Sequence, residues 1–275
     1  MARIAASSMF FNEYPTDLIF DFAEEAGLDG IEFWMETPHF WLRQLPVDEL
    51  LEVAASHPDL LPITMHGPVF DLNPCSINPG VAAVSIHYTL LAITIASQLD
   101  ASVITLHPGK RTVRRPPSRP EYLRFEYYLD QVRDTARNTR TRVALENMEE
   151  SISSLLCTPE EVAELLDKEP WLYFTLDIAH ALAKSPAEVE RYLERTISRL
   201  ANVHVSGYRG GKIHLPVAGD PEVGAILSLL AEYGYDGYLT LEIEDRNFTH
   251  DLGSEEKITL LSREVDYLEK YLNKR

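Results

Sequence analysis

The sequence has few cysteines, few positive charges in its first part and no recognisable leader. Only Cys75 and Cys157 are present among 275 residues, too few for a disulfide framework, which favours a reducing, cytoplasmic location. No stretch approaches the roughly 20 apolar residues that a bilayer span requires, so we expect no association with a membrane. Met1–Ala5 leads into no long apolar region with a cleavage site, so no secretory signal is predicted.

Positive charge is scarce and unevenly distributed. The chain has 25 bases against 43 acids, and its net charge of -18 argues against non-specific coating of nucleic acid. Residues 1–109 contain two bases and fourteen acids, whereas residues 110–142 contain ten bases and four acids. Half of those ten bases lie in Pro108–Pro120, whose prolines predict an exposed loop. This loop is either a solvated surface or a clamp for phosphate or another anion.

Hydrophobic patterning predicts one repeating unit. An apolar fraction of 45% is enough for a core, and eight short apolar runs alternate with longer helical patterns. The predicted strands are Arg3–Ser8, Gly30–Trp34, Leu61–His66, Ser102–His107, Arg142–Asn147, Leu172–Asp177, Asn202–Ser206 and Tyr238–Ile243. Near-continuous apolar runs are typical of parallel strands that are buried on both faces. The sequence therefore predicts an α/β fold, a single (β/α)₈ TIM barrel over residues 1–275.

Helix boundaries and the first turn support this prediction. Thr158 and Ser185 are each followed by proline and, three residues later, by glutamate, as in a capping box, and Gly27 and Gly234 follow predicted helices. The alternative fold is an open doubly wound sheet, which normally has a Gly-rich turn after its first strand. Ser7–Phe11 occupies that position and contains no glycine.

Polar side chains lie at or near the ends of six predicted strands. They are His66, His107, Glu146, Asp177, His204 and Glu242, with His180, His214 and Glu32 close by in sequence. In a barrel these ends converge on the face where active sites lie. Any one of them alone is more often a structural residue, but so many imidazoles and carboxylates together would repel one another or stay unsatisfied without a cation. Nitrogen and oxygen ligands suit Zn²⁺ or Mn²⁺, or alternatively Fe²⁺ or Co²⁺, and the absence of cysteine argues against a structural zinc site.

As a set, these motifs resemble a known family. His107-Pro-Gly, Glu146-Asn147 and Asp177-x-x-His180, with the other strand-end residues in order, are similar to the xylose isomerase-like TIM barrels over nearly the whole chain. That family includes many sugar isomerases and epimerases and the endonuclease IV family, which acts on abasic DNA. The resemblance implies a metal-dependent enzyme with one to three bound ions.

The isomerase and epimerase branch is the favoured interpretation. The resemblance to that branch implies one metal with the ligands Glu146, Asp177, His204 and Glu242. Glu146 and Glu242 would also act as base and acid on opposite faces of a sugar carbon, through an enediolate. Substrate-binding roles are expected for His66, His107, His180, Arg209, Lys212, Glu32 and Trp34. The expected partner is a sugar or sugar phosphate, and an oligomer is compatible with these features.

The endonuclease branch is the alternative, with DNA as the partner. It implies three metal ions. The first would be held by His66, His107 and Glu146, the second by Glu146, Asp177, His204 and Glu242, and the third by His180 and His214. The aspartate expected two residues before His214 is Lys212 here, and Val205–Arg209 and Met148–Glu150 also depart from this branch. A third, non-enzymatic interpretation is a barrel that only binds a ligand or a partner.

Overall fold

The computed structural model describes residues 2–272, in which eight parallel strands close into a barrel. The barrel strands are β1 Arg3–Ser7, β2 Gly30–Trp34, β3 Thr64–His66, β4 Val103–Leu106, β5 Arg142–Glu146, β6 Tyr173–Asp177, β7 Leu200–Val205 and β10 Tyr238–Leu241. Around the barrel they follow the order β1, β10, β7, β6, β5, β4, β3, β2. The predicted TIM barrel is therefore confirmed, and every predicted strand overlaps an observed one.

Helices follow the barrel strands and form the outer layer. They are α1 Thr16–Glu25, α2 Pro38–Trp41, α3 Val47–Ser56, α4 Pro79–Gln98, α5 Arg119–Ala136, α6 Pro159–Lys168, α7 Ile178–Leu182, α8 Pro186–Thr196, α9 Pro221–Glu232 and α10 Ser254–Leu272. The main apolar core lies between this layer and the strands, where residues such as Phe33, Met65 and Leu176 are fully buried.

The interior of the barrel is polar near the site. Along β6, Thr175 and Asp177 are two residues apart and so point to the same face, while Leu176 between them points toward the helices. The same spacing recurs in Thr105-Leu-His107 and Thr240-Leu-Glu242. Two neighbouring interior hydroxyls, those of Thr105 and Thr175, are hydrogen-bonded at 2.8 Å. A layer of small polar groups thus supports the imidazoles and carboxylates above it.

Three segments differ from their predictions. Helix α5 begins at Arg119, inside the predicted loop, because Ser118 and Glu121 form a capping box and Pro120 lies in the first turn, where no N–H partner is needed. Ser185 precedes α8 but its side chain makes no capping hydrogen bond. The strands β8 Gly207–Arg209 and β9 Lys212–Leu215 form an antiparallel hairpin that the sequence patterns do not predict.

Helix α4 is a long uncharged segment that the sequence analysis did not single out. Pro79–Gln98 has 20 residues, a mean hydropathy of 1.6 and no acid, lysine or arginine, so by length and composition it could cross a membrane. Small and hydroxylated residues interrupt its apolar run without adding charge, so it contains no continuous run of about 20 apolar residues. In the fold α4 belongs to the outer layer and packs against β3, β4 and α5, and a barrel helix of this kind meets the same criterion.

Candidate metal centre

Four side chains from the last half of the barrel meet at one point. Ligand atoms of Glu146, Asp177, His204 and Glu242 all lie within 4.8 Å of one another. His204 Nδ1 lies 3.0 Å from Glu242 Oε2 and 3.7 Å from Glu146 Oε2. The register explains the convergence: Asp177 on β6 lies directly beside His204 on β7, and Glu242 follows β10, the next strand. This group consists of the four ligands that the resemblance to the isomerase and epimerase branch implies.

Two further groups flank these four residues. His66 Nε2 and His107 Nε2 lie 3.4 Å and 3.1 Å from Glu146 Oε2. On the other side, ligand atoms of Asp177, His180 and His214 lie within 4.8 Å of one another. We call the eight side chains of the three groups the strand-end cluster: His66, His107, Glu146, Asp177, His180, His204, His214 and Glu242.

The charges within the strand-end cluster are strongly coupled. Burial alone would raise the pKa of Glu146, but His107 and His204 outweigh it and hold that pKa well below its usual range. Burial raises the pKa of Asp177 to about 6, although His180 and His214 oppose the rise. Burial lowers the pKa of His180, but Asp177 and Glu146 outweigh it and raise the pKa to about 10. The carboxylates therefore attract positive charge, whether protons on imidazoles or a cation.

Unpartnered polar atoms test whether a cation fits. Asp177 Oδ2, His204 Nδ1 and Glu242 Oε2 are buried, and none of the three forms a hydrogen bond of acceptable geometry in the described chain, although His204 Nδ1 and Glu242 Oε2 lie 3.0 Å apart. Buried polar atoms without partners are rare and costly in folded proteins. All three belong to the four-ligand group, and all are atoms of the kind that coordinate Zn²⁺ or Mn²⁺. These residues therefore fit a divalent cation.

Asn147 is a site residue that the sequence analysis did not assign. It follows β5, and its side chain is hydrogen-bonded to both the backbone N–H and the carbonyl of Asp177, at 2.8 and 3.0 Å. Its own carbonyl lies 2.9 Å from His180 Nδ1. Asn147 thereby fixes the end of β6 and the ring of His180. An amide at the end of a predicted buried strand, directly after Glu146, was the available signal.

Trp34 lies against the strand-end cluster. Its ring is stacked on the imidazole of His66, with centroids 3.8 Å apart and an interplanar angle of 7°. Phe70, which is 54% exposed, lies 6.0 Å from Trp34. Glu36 holds Phe70 in place by accepting hydrogen bonds from the backbone N–H groups of Val69 and Phe70. Trp34 and Phe70 thus place aromatic surface beside His66, where a ligand of the cluster would lie.

Besides Trp34, three of the predicted substrate-binding residues are not members of the ligand groups. Glu32 is fully buried and contacts His204 and Asn202, so it supports the ligands from inside the barrel and does not line the pocket as expected. Arg209, 70% exposed, is paired with Asp220 at 3.2 Å. Lys212 is exposed on β9. Within residues 2–272, neither base contacts the strand-end cluster.

A cavity of about 160 Å³ lies beside His107. Hydroxyl-bearing residues line part of it, including Ser85, Thr89, Tyr128 and Ser154. Lys110, the first base of the predicted basic loop, also lines the cavity and forms a backbone bridge with Ser154. The cavity therefore brings hydroxyl groups and a lysine next to His107 of the strand-end cluster.

Two proteins with similar sequences extend over most of this chain. An uncharacterised protein of Methanocaldococcus jannaschii is 34% identical over 98% of this chain and 99% of its own length. Fructoselysine 3-epimerase of Shigella flexneri is 23% identical over 83% of this chain and 85% of its own length.

Solved structures share the fold. A D-tagatose 3-epimerase-like protein has a TM-score of 0.77 at 24% identity, with 99% of each chain covered. D-allulose 3-epimerase from Methylomonas sp., in complex with D-allulose, has a TM-score of 0.78 at 17% identity, covering 98% of this chain and 97% of its own. Endonuclease IV from Thermus thermophilus has a TM-score of 0.72 at 19% identity, covering 98% of this chain and 99% of its own. The family model of the xylose isomerase-like TIM barrels matches residues 20–271, and the chain therefore belongs to that family.

Proposed function

We propose that this protein is a sugar or sugar-phosphate epimerase or isomerase that requires a divalent cation, with Zn²⁺ or Mn²⁺ favoured. The observation that carries the proposal is the approach of two carboxylates, Glu146 and Glu242, to the same atom, His204 Nδ1. They come from β5 and from the end of β10, which are separated by two strands around the barrel. Two carboxylates on different sides of one ligand group suit proton transfer at two faces of a carbon. The relative named as a fructoselysine 3-epimerase supports this reaction class.

Glu146, Asp177, His204 and Glu242 would hold the cation. When bound, it would polarise the carbonyl of a ketose and the adjacent hydroxyl, which acidifies the C–H bond of the carbon that carries that hydroxyl. One carboxylate of the Glu146 and Glu242 pair takes that proton while the C–H electron pair moves toward the carbonyl oxygen. The other carboxylic acid gives a proton to the opposite face of the same carbon. Inversion of that carbon is epimerisation. The first carboxylate then loses its proton to solvent and the second regains one, which restores the starting protonation states of Glu146 and Glu242.

The remaining residues of the strand-end cluster would position the substrate. His180 is held by Asn147, and His66 is held by the carbonyl of Gly67 at 2.7 Å, so both rings are fixed before a ligand binds. His107, with a side chain 28% exposed, is the most accessible of the imidazoles around Glu146. We assign these three histidines to the hydroxyl groups of the sugar. Trp34 and Phe70 would cover its apolar face.

Hydrogen exchange in heavy water tests the proposal directly. Metal-loaded protein is incubated with D-tagatose, D-allulose, L-ribulose, fructoselysine and their phosphates, and deuterium at the carbon next to the carbonyl is measured by NMR. We expect incorporation with at least one substrate, and its loss in Glu146→Gln and in Glu242→Gln. Glu149→Gln, an exposed site three residues after Glu146, is the matched control and should retain exchange. Exchange that persists in both site variants would contradict the proposed pair.

A metal-dependent phosphodiesterase that acts on abasic DNA is the second candidate. Two observations favour this candidate. The three ligand groups share residues, so several metal ions could bind side by side, and an endonuclease IV has the same fold. Lys212 opposes it, since a cation two residues before His214 replaces an anionic ligand of a third metal. An incision assay on a duplex with one abasic site separates the two candidates. Incision that disappears in Glu146→Gln would replace the epimerase proposal.

A further inference from the structure

His204 is enclosed by carboxylates on both sides of its ring. The side chain is fully buried, and its Nδ1 faces Glu242 and Glu146 in the four-ligand group. Its Nε2 points the other way, toward the interior of the barrel. There it lies 3.1 Å from Oε1 and 3.2 Å from Oε2 of Glu32, a residue of β2 that reaches it across the barrel.

Glu32 is held in place for this contact. Its Oε2 accepts a hydrogen bond of 2.7 Å from the side-chain amide of Asn202. The orientation of that amide is fixed in turn, because Asn202 Oδ1 accepts a hydrogen bond of 2.9 Å from Thr240. Because Glu32 Oε2 already accepts a hydrogen bond from Asn202, Glu32 faces His204 as an acceptor, and the proton between them belongs to Nε2. In the neutral ring, the lone pair of Nδ1 is then directed at the ligand group.

The other histidines of the strand-end cluster are supported differently. His66 Nδ1 and His180 Nδ1 lie within hydrogen-bond distance of backbone carbonyls, those of Gly67 and Asn147. His214 Nδ1 lies 3.4 Å from the hydroxyl of Ser206. Among the five histidines of the cluster, His204 alone has a carboxylate from elsewhere in the described chain within hydrogen-bond distance. A carboxylate behind an imidazole fixes its tautomer and makes it a stronger metal ligand than a carbonyl does.

We propose that Glu32 is a positioning residue that fixes His204 as an Nδ1 ligand and makes the four-residue group the tightest of the three metal-ligand groups. The proposal rests on the proposed function only in requiring that this group binds a divalent cation. It implies that the first equivalent of metal occupies the group of Glu146, Asp177, His204 and Glu242. The flanking groups, whose histidines lack such a carboxylate, would bind metal more weakly.

Metal affinity of a Glu32 variant tests this inference without an assay of activity. Glu32→Gln keeps the shape and an acceptor oxygen but removes the charge. Competition with a chromogenic chelator should show Zn²⁺ and Mn²⁺ bound at least tenfold more weakly at the first site, within the roughly 10–100-fold range for such outer residues. Glu36→Gln is the control, because within residues 2–272 that buried carboxylate accepts hydrogen bonds only from the backbone of Val69 and Phe70. A first-site affinity of Glu32→Gln within twofold of wild type would overturn the proposal.

Two measurements separate positioning from a merely structural role. The absorption bands of Co²⁺ bound at the first site should shift in folded Glu32→Gln and stay unchanged in Glu36→Gln. If Glu32→Gln does not fold, long-range ¹H–¹⁵N spectra of the wild-type protein loaded with one Zn²⁺ still decide the tautomer. They should show His204 protonated on Nε2 with metal on Nδ1, and the opposite assignment would contradict the proposal. Deuterium exchange of sugars by wild type tests the proposed function separately. The role of Glu32 and the epimerase or isomerase function can therefore each be rejected without the other.

Discussion

At the scale of single residues, polar side chains at the ends of strands carried most of the information about the site. Their position predicted that residues such as His107, Asp177 and Glu242 converge on one face of a barrel, and the structure brings them into overlapping ligand groups there. The support of His204 by Glu32 could not be predicted in this way. Its two residues are 172 positions apart, and only closure of the barrel brings β2 across from β7.

Glu264 gives a prediction of pH dependence at the residue scale. Its carboxylate accepts hydrogen bonds of 2.8 Å from the N–H groups of Val217 and Ala218, just after the hairpin that carries His214. Burial raises the pKa of Glu264 above its ordinary value of 4.5, although those two N–H groups partly offset the rise. The folded chain therefore holds this proton more tightly than the unfolded chain does. As pH rises from about 4.5 through the raised pKa, Glu264 makes stability fall.

The Glu264→Gln variant lacks this titration. Urea unfolding should be measured from pH 4.5 upward, through the raised pKa of Glu264. Over this range the free energy of unfolding of the variant should increase relative to that of wild type. Glu232→Gln, an exposed position at the end of α9, is the control and should give a curve parallel to wild type. A parallel curve for Glu264→Gln as well would contradict the raised pKa.

At the scale of elements, the alternation of strand and helix could be predicted from the sequence, but the capping hydrogen bonds at the helix N-termini could be predicted only in part. Thr158 and Ser185 have the same sequence pattern, each followed by proline and then by glutamate. In the structure Thr158 forms the capping box with Glu161, whereas Glu188 after Ser185 is paired with Lys184 and Arg191. Glu188 forms ion pairs with these nearby bases and no capping box with Ser185, and the local sequence pattern alone does not predict this difference.

The two caps therefore predict different effects of the same substitution. Thr158→Ala removes the hydroxyl that accepts a hydrogen bond from the N–H of Glu161, so we expect a loss of about 1 kcal/mol in the free energy of unfolding. Ser185→Ala removes no side-chain cap and should change stability by less than about 0.5 kcal/mol. Chemical denaturation of both variants measures the difference. Equal losses would mean that the hydroxyl of Thr158 contributes nothing specific to α6.

At the scale of the whole molecule, one buried lysine joins the first and last parts of the barrel. Lys257 on α10 has a fully buried side chain, and its Nζ donates to the carbonyl of Phe10 at 2.6 Å and to Glu13 at 2.5 Å. It also lies 3.3 Å from Asp245, which follows the last barrel strand. The loops after β1 and β10 are therefore tied together on the side of the barrel where the strand-end cluster lies.

Lys257→Met should weaken this closure. The variant leaves Glu13, Asp245 and the carbonyl of Phe10 without their shared cation. Both carboxylates are 42% exposed and can be solvated, so we expect a loss of about 2 kcal/mol, as for a hydrogen bond to a charged group. Lys168→Met, whose side chain is 66% exposed, is the control and should cost little. Thermal unfolding measures both, and similar melting temperatures for the two variants would contradict a role of Lys257 in closure.

Metal binding should also be visible in the stability of the whole chain. In the strand-end cluster, three buried ligand atoms form no hydrogen bond in the described chain. A cation that binds there only in the folded state raises the free energy of unfolding. At a free metal concentration of about 100 times Kd the gain is about 2.7 kcal/mol, and a chain of this size should melt roughly 5–10 °C higher.

Removing the ligand Asp177 should abolish that shift without lowering the stability of the metal-free protein. Burial raises the pKa of Asp177 to about 6, so without a cation its charge is only partly compensated. At neutral pH metal-free Asp177→Asn should therefore melt at or above the metal-free wild type. The variant should not gain from added Zn²⁺ or Mn²⁺, whereas Glu149→Gln should gain as much as wild type. Metal binding and removal of the charge both relieve the cost of burying this carboxylate. A variant that keeps the full metal-dependent shift would place the tight site in one of the flanking groups instead.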